Sequence, residues 1–233
     1  LAARARVQPS FDDPIGYHRT NVTGTLNLLE ACRLAGVKNF VFSSSSSVYG
    51  NFCDNEALFE HDELHPDSPY AMQKKIGEDY CNYYSHKFGL NCKILRYFNV
   101  YGDRMIPGGQ YAQAIQIFLS NYKKGESFEI FGDGEQRRDF THVSDGVGAN
   151  IKAMDCIYPF TFNIGTSKNH SINELCKMID PEAEIEYLPQ KPEPKFTLAD
   201  NRFAERYLNW KPSIELLAWI QKKTNVINLQ SHY

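Results

Sequence analysis

Apolar positions along the chain alternate between two periods. After Asp12-Asp13-Pro14, an acidic cap with Pro at the first helical position, Ile15, Val22, Leu26, Leu29 and Leu34 recur at helical spacing. Ala35-Gly36 stops that helix. Phe40-Val41-Phe42 then runs almost without a break into Ser43, as a strand buried on both faces would. Asn51 to Asp67 is polar and rich in turn formers, a predicted loop. Pro69 to Phe88 has Tyr70, Ile76, Tyr80, Tyr84 and Phe88 near one side, a long helix that Gly89 ends. Cys92 to Tyr97 is the next strand. Helix and strand alternating with short joints predict a doubly wound α/β sheet. In such sheets ligands bind beyond the carboxyl ends of strands. The serine run from Ser43 and the segment Phe98 to Gly102 both occupy that position.

The texture changes from Asp103. Pro107-Gly108-Gly109 is a turn, Tyr111 to Tyr122 a helix, Phe128 to Phe131 a strand, and Gly132-Asp133-Gly134 a hairpin-like turn. Val143 to Met154 reads as a helix and Thr161 to Ile164 as a strand. Ser171 with Glu174 at capping-box spacing opens a helix to Met178. Ile185 to Leu188 is a strand and Pro189 to Lys195 an extended loop. Short helices follow near Asn201–Leu208 and Pro212–Gln221. Leu1 to Ser10 reads as a strand end and its turn.

With 233 residues and a formal net charge of -3, the chain can bury a substantial core and exerts no long-range pull on nucleic acid or anionic membrane. No run approaches the roughly 18 apolar residues of a membrane span. Six scattered cysteines, none in a C-x-x-C pair, argue against metal ligation and for a reducing, cytoplasmic setting.

Ser68-Pro69-Tyr70-Ala71-Met72-Gln73-Lys74 places Tyr70 and Lys74 on one helix face. The spacing alone is weak, because Tyr83–Lys87 and Tyr187–Lys191 share it. Context selects Tyr70, which alone opens a helix downstream of a strand ending in serines. Tyrosine ionises near pH 10. To act as a base near neutrality it needs positive charge in a partly dry site, which Lys74 can provide. Ser45 can hydrogen-bond the same substrate oxygen. The plain alternatives are a surface Tyr–Lys pair and a polar serine loop.

Phe42-Ser43-Ser44-Ser45-x-x-Val48-Tyr49-Gly50, Ser68-Pro69-Tyr70-Ala71-x-x-Lys74 and Leu95-Arg96-Tyr97-Phe98-Asn99-Val100-Tyr101-Gly102 resemble the extended short-chain dehydrogenase/reductase family of NAD-dependent nucleotide-sugar epimerases and dehydratases. Leu1-Ala2-Ala3, Asn21-Val22-x-Gly24-Thr25, Gly132-Asp133-Gly134-Glu135-Gln136-x-Arg138-Asp139-Phe140, Asn163-Ile164-Gly165-Thr166 and Leu198-Ala199-Asp200 extend the likeness over nearly the whole chain. The resemblance implies a Rossmann-like domain from 1–101 and 140–166, and a smaller α+β substrate domain from 102–139 and 167–233. It implies Tyr70 as catalytic base, Lys74 as its partner holding the nicotinamide ribose, and Ser45 as the catalytic hydroxyl. Asn21, Ser43 and Tyr97 fall at the NAD site. Asn99, Arg138, Lys191 and Thr197 fall at the nucleotide sugar, Arg138 clamping the diphosphate with its planar set of donors. For Arg138 the alternative is a structural pair with Asp139 or Asp145; for Asn99 it is a turn after a strand.

Three departures stand out. No Gly-rich phosphate loop on a first strand and helix occurs, so about seventy residues including the first βαβ unit are expected to be missing. Gln190 stands where a phosphate-binding arginine is expected, with Lys191 as substitute. Gln116 replaces a common proline near the base. Dehydratases of this type carry an Asp-Glu pair aligned with Ser46-Ser47, and serines cannot replace it. The resemblance therefore implies NAD-dependent C4 epimerisation of a UDP-hexose through a 4-keto sugar. Thr197 is small enough for N-acetylated sugars. A different NAD-dependent nucleotide-sugar enzyme, or a truncated nucleotide-sugar-binding chain without catalysis, stays open. The expected assembly is a homodimer through helices 14–35 and 69–88.

Overall fold

A computed structural model describes residues 3–51, 56–105, 114–190 and 194–230. Pro107 to Gly109, the expected helix start at Tyr111 and the candidate Lys191 lie outside them.

The chain enters through helices. α1 (Gln8–Asp12) begins within the segment to Ser10 that was expected to be a strand end and the turn after it. Asp13 then caps α2 (Pro14–His18), accepting from the Gly16 amide at 2.9 Å. A π-helical turn, Arg19–Thr23, separates α2 from α3 (Gly24–Leu34). The hydrophobic spacing predicted one unbroken helix. The wider turn instead buries two consecutive residues, Asn21 and Val22.

β1 (Asn39–Ser45) leads into a single 3₁₀ turn, Ser46–Tyr49. α4 (Pro69–Phe88) has the predicted bounds, because Ser68 caps the Ala71 amide and Gly89 leaves the helix at φ 69°. There follow β2 (Asn91–Tyr97), β3 (Val100–Tyr101), α5 (Ala114–Lys124), β4 (Phe128–Phe131), β5 (Arg137–Asp139), β6 (Thr141–His142) and α6 (Val143–Asp155). The chain closes with β7 (Thr161–Ile164), β8 (Asn169–Ser171), α7 (Ile172–Ile179), β9 (Ile185–Leu188), α8 (Arg202–Leu208) and α9 (Leu216–Gln230).

β1, β2 and β7 form a parallel sheet in that order. Alternate side chains serve opposite faces. Phe42, Cys92 and Ile94 pack with Leu29, Cys81 and Tyr84 of α3 and α4. Leu95, Phe162 and Ile164 pack with Ala149 and Ala153 of α6 and with Leu208 and Trp210. This sandwich is why β1 and β2 read as apolar runs. Gly77 sets the distance of α4 from the sheet: a Cβ there would lie 2.4 Å from the Phe42 ring.

A second core gathers Ile115 and Phe118 of α5, Phe128 and Ile130 of β4, Leu175 and Ile179 of α7, and Trp219 and Ile220 of α9. The turn at Gly132–Gly134 forms, but its two strands do not pair with each other. β4 pairs in parallel with β9, and β5 pairs antiparallel with β8. The last helix starts at Leu216 rather than Pro212 and continues to Gln230. Asp145 accepts from the amides of Ser213 and Ile214, holding the preceding segment outside the helix.

Candidate active site

The carboxyl ends of β1 and β2 open into a cavity of about 660 Å³. β1 brings Ser43 and Ser45, the first turns of α4 bring Tyr70 and Lys74, and β2 brings Tyr97. Asn21 on the π turn, Asn99, Arg138 and Thr197 line the same cavity. Every described candidate residue therefore meets in one place.

There the Ser45 hydroxyl acts on the Tyr70 phenol. Ser45 is itself fixed, since its Oγ accepts from the amide and hydroxyl of Ser47 at 3.2 and 2.9 Å. The 3₁₀ turn that occupies the Ser46-Ser47 segment thus positions Ser45. Burial pushes the Tyr70 phenol above its ordinary value; the Ser45 hydrogen bond and the guanidinium of Arg6 act in the opposite direction. Arg6 lines the cavity and was passed over in the sequence. Lys74 meets the face of the Tyr70 ring, 5.8 Å from its centroid. The positive charge that acts on the Tyr70 phenol is that of Arg6, whereas Lys74, to which the Tyr-x-x-x-Lys spacing assigned it, meets the face of the ring.

Lys74 is 6% exposed. Its Nζ donates to the Ser43 carbonyl at 2.7 Å. Burial lowers the ammonium to about 8, while the carboxylate of Glu78 one turn along α4 acts to raise it. Glu78 is buried in an ion pair with Arg96 of β2, with contacts of 3.0 and 2.7 Å. It also accepts from Ser44 at 2.5 Å. Arg96 reaches the Tyr49 hydroxyl at 2.9 Å, and Tyr49 donates to Asn163 of β7 at 2.7 Å. One polar network thus ties α4 to all three strands directly behind the serines. A signal for it was available, because Glu78 lies four residues after Lys74 on the same helix face.

The opposite wall is held by longer-range bonds. Asn99 sits at φ 28°, and its Nδ2 donates to the Asp139 carbonyl at 3.0 Å and to Thr197 Oγ1 at 3.1 Å. Thr197 Oγ1 also accepts from the Asp139 amide. The Asp139 carboxylate takes the amides of Thr166, Ser167 and Ala199 and the Thr166 hydroxyl. Asp145 is engaged by Ser213 and Ile214. Of the two arginines on β5, Arg137 pairs with Glu174 and Asn169. Arg138 lines the cavity, and its Nη1 donates to the Arg137 carbonyl at 2.9 Å.

Asn21 exchanges two bonds with Arg4, from the Arg4 amide and to the Arg4 carbonyl, each 2.9 Å. It therefore fixes the cavity wall at residues 4–6. Tyr97 receives a hydrogen bond from Asn150 at 2.6 Å and shares one with Ser43.

The first 165 residues match the model of the family described as "NAD dependent epimerase/dehydratase family". The chain belongs to this family. A putative UDP-glucose 4-epimerase of Methanocaldococcus jannaschii is 38% identical over 232 residues, 96% of this chain and 74% of that protein. A UDP-glucuronate 4-epimerase of Thermodesulfobacterium geofontis is 37% identical over 97% of this chain and 70% of its own length. Among solved structures, the UDP-N-acetylglucosamine 4-epimerase of Methanobrevibacter ruminantium M1, in complex with UDP-N-acetylmuramic acid, superposes with a TM-score of 0.92. It is 35% identical and is matched over 99% of this chain and 76% of that one.

NAD is the cofactor of this epimerase/dehydratase family, and the donor set suits it. An ammonium has three donors. Among the described residues, the buried one of Lys74 has one hydrogen-bond acceptor, the Ser43 carbonyl. Two N–H groups are left for ribose hydroxyls beside Tyr70.

Proposed function

We propose that this chain carries out NAD-dependent C4 epimerisation of a UDP-sugar, with Tyr70, Ser45 and Lys74 as the catalytic residues. The observation that carries the reading is the meeting of these three side chains at one end of a single cavity. The chemistry NAD supplies when bound is reversible acceptance of the C4 hydride. Tyr70, as phenolate, takes the proton of the sugar's 4-hydroxyl and later returns it. Ser45, pinned by Ser47, donates to the same oxygen and holds it in line. Lys74 keeps its ammonium under the Tyr70 ring and offers its remaining donors to the ribose. Arg138 and Asn99 are assigned to the diphosphate and Thr197 to the edge of the sugar. Ser47 serves Ser45 rather than acting as an acid or base on substrate, which favours epimerisation over loss of water.

The second core is read as the substrate lobe, with the sheet and its helices as the NAD lobe. Leu28 and Leu34 of α3 and Met72, Tyr83 and Phe88 of α4 are exposed large apolar residues. They support a homodimer through α3 and α4. Among the described residues no helix is long and apolar enough to cross a membrane. The five described cysteines are free thiols, in keeping with a cytoplasmic location.

The test is to incubate NAD-loaded protein with UDP-galactose, UDP-N-acetylglucosamine and UDP-glucuronate, and to follow the anomeric signals by proton NMR. A 4-epimer of unchanged mass is expected, with Tyr70→Phe slowed about 10²- to 10⁴-fold. A product lighter by one water would overturn the reading in favour of dehydration.

A further inference from the structure

Arg6 stands at φ 91°, a conformation that a residue with a side chain rarely adopts. The bonds around it force this geometry. Arg4 is held at both its amide and its carbonyl by Asn21. The Ala5 carbonyl accepts from the Tyr17 hydroxyl at 2.8 Å. The Val7 carbonyl accepts from the Ser10 hydroxyl at 2.6 Å, and that hydroxyl accepts from the Tyr70 amide at 3.1 Å. The backbone on both sides of Arg6 is therefore clamped, and one clamp is the first turn of the helix that carries Tyr70. Strain that the surroundings over-determine points to function. The guanidinium is half-buried and lines the cavity with Tyr70, Ser45 and Lys74.

We propose that Arg6 is a positioning residue for the base: held in a strained turn, its fixed positive charge stabilises the Tyr70 phenolate. This rests on the reading of Tyr70 as the base. The groups facing Tyr70 are Arg6 from the entry segment, Ser45 from β1 and Lys74 from α4. Arg6 also meets Tyr17 of α2, while the neighbouring Arg4 is paired with Asp13 at 2.5 Å. The attraction between Arg6 and Tyr70 is mutual: Arg6 lowers the phenol, and Tyr70 raises the guanidinium against its own burial. An arginine suits this duty because burial does not neutralise it at working pH, whereas Lys74 is lowered to about 8.

The test compares Arg6→Gly, Arg6→Gln and Arg6→Lys in the NAD-loaded protein. Tyr70 is titrated by ¹³Cζ-tyrosine NMR, its signal assigned with Tyr70→Phe, and kcat is measured against pH. Gly and Gln are expected to move both the Tyr70 midpoint and the acid limb of kcat up by about one pH unit, with Lys restoring most of the shift. Arg6→Gly, which accepts positive φ without strain, should melt at or above the parent temperature. Unchanged limbs in Gly and Gln would overturn the proposal, including the case where only KM for an acidic sugar rises. If Tyr70 stays protonated as far as the fold survives, the acid limb alone decides. An active Tyr70→Phe would instead overturn the reading of Tyr70, whatever the Arg6 variants do.

Discussion

The two walls of the cavity are built on different principles. The wall made by β1 and α4 uses regular elements joined by bonds that span 31 and 34 residues, and the buried Glu78–Arg96 pair ties α4 to β2 behind them. The wall made by Asn99, Asp139 and Thr197 joins loops to the end of β5, with bonds that span 40 to 98 residues. Rigid elements hold the groups read here as moving protons, where small displacements cost most. Loops pinned to the short strand β5 hold, with it, the groups read here as contacts to the nucleotide sugar, which can vary without disturbing the parallel sheet.

The largest test of this contrast is Arg96→Met, which leaves the buried Glu78 carboxylate, among the described residues, with Ser44 as its hydrogen-bond partner and without its paired guanidinium. A loss of about 3–5 kcal/mol is expected, read by urea unfolding. Next comes pH. Lys74 is lowered in the fold from 10.5 to about 8. Below that value both states hold the proton; above it the native state releases the proton first, so the unfolded chain binds more. The Lys74 contribution to stability should therefore rise with pH through this window by roughly 3 kcal/mol, in full above 10.5, and fall away as pH drops through 8. In Lys74→Met that rise should vanish, which pH-dependent urea titrations would check.

Gly77→Ala forces a methyl into the Phe42 ring and should cost about 1–3 kcal/mol by the same measurement. The smallest effect belongs to the other wall. Thr197→Val removes the acceptor shared by Asn99 and the Asp139 amide, for about 1 kcal/mol. It should raise KM for the nucleotide sugar more than it lowers kcat. A fall confined to kcat would break the assignment of the two walls.

Much of the first wall was legible from local chemistry. Ser68-Pro69 fixed the start of α4 and Gly89 its end, because caps act within one turn. The serines after Phe42 lay beyond a strand, as the alternation of elements required. The parallel pairing of β4 with β9 was not legible, since a Gly-Asp-Gly turn satisfies hairpin chemistry whether or not its strands pair. The π turn at Asn21 was also hidden, because apolar spacing cannot register one extra residue in a helix.

By itself the sequence determined the limits of α4, the sheet class, and the residue types able to hold and move a proton at Ser45, Tyr70 and Lys74. Spacing, caps and side-chain chemistry are local properties. Only the tertiary structure decided that Ser47 serves Ser45, that Glu78 and Arg96 form the buried pair behind Lys74, and that Arg6 lines the cavity with Tyr70. Burial, backbone φ and partners distant in sequence arise when the elements pack, so no local pattern encodes them.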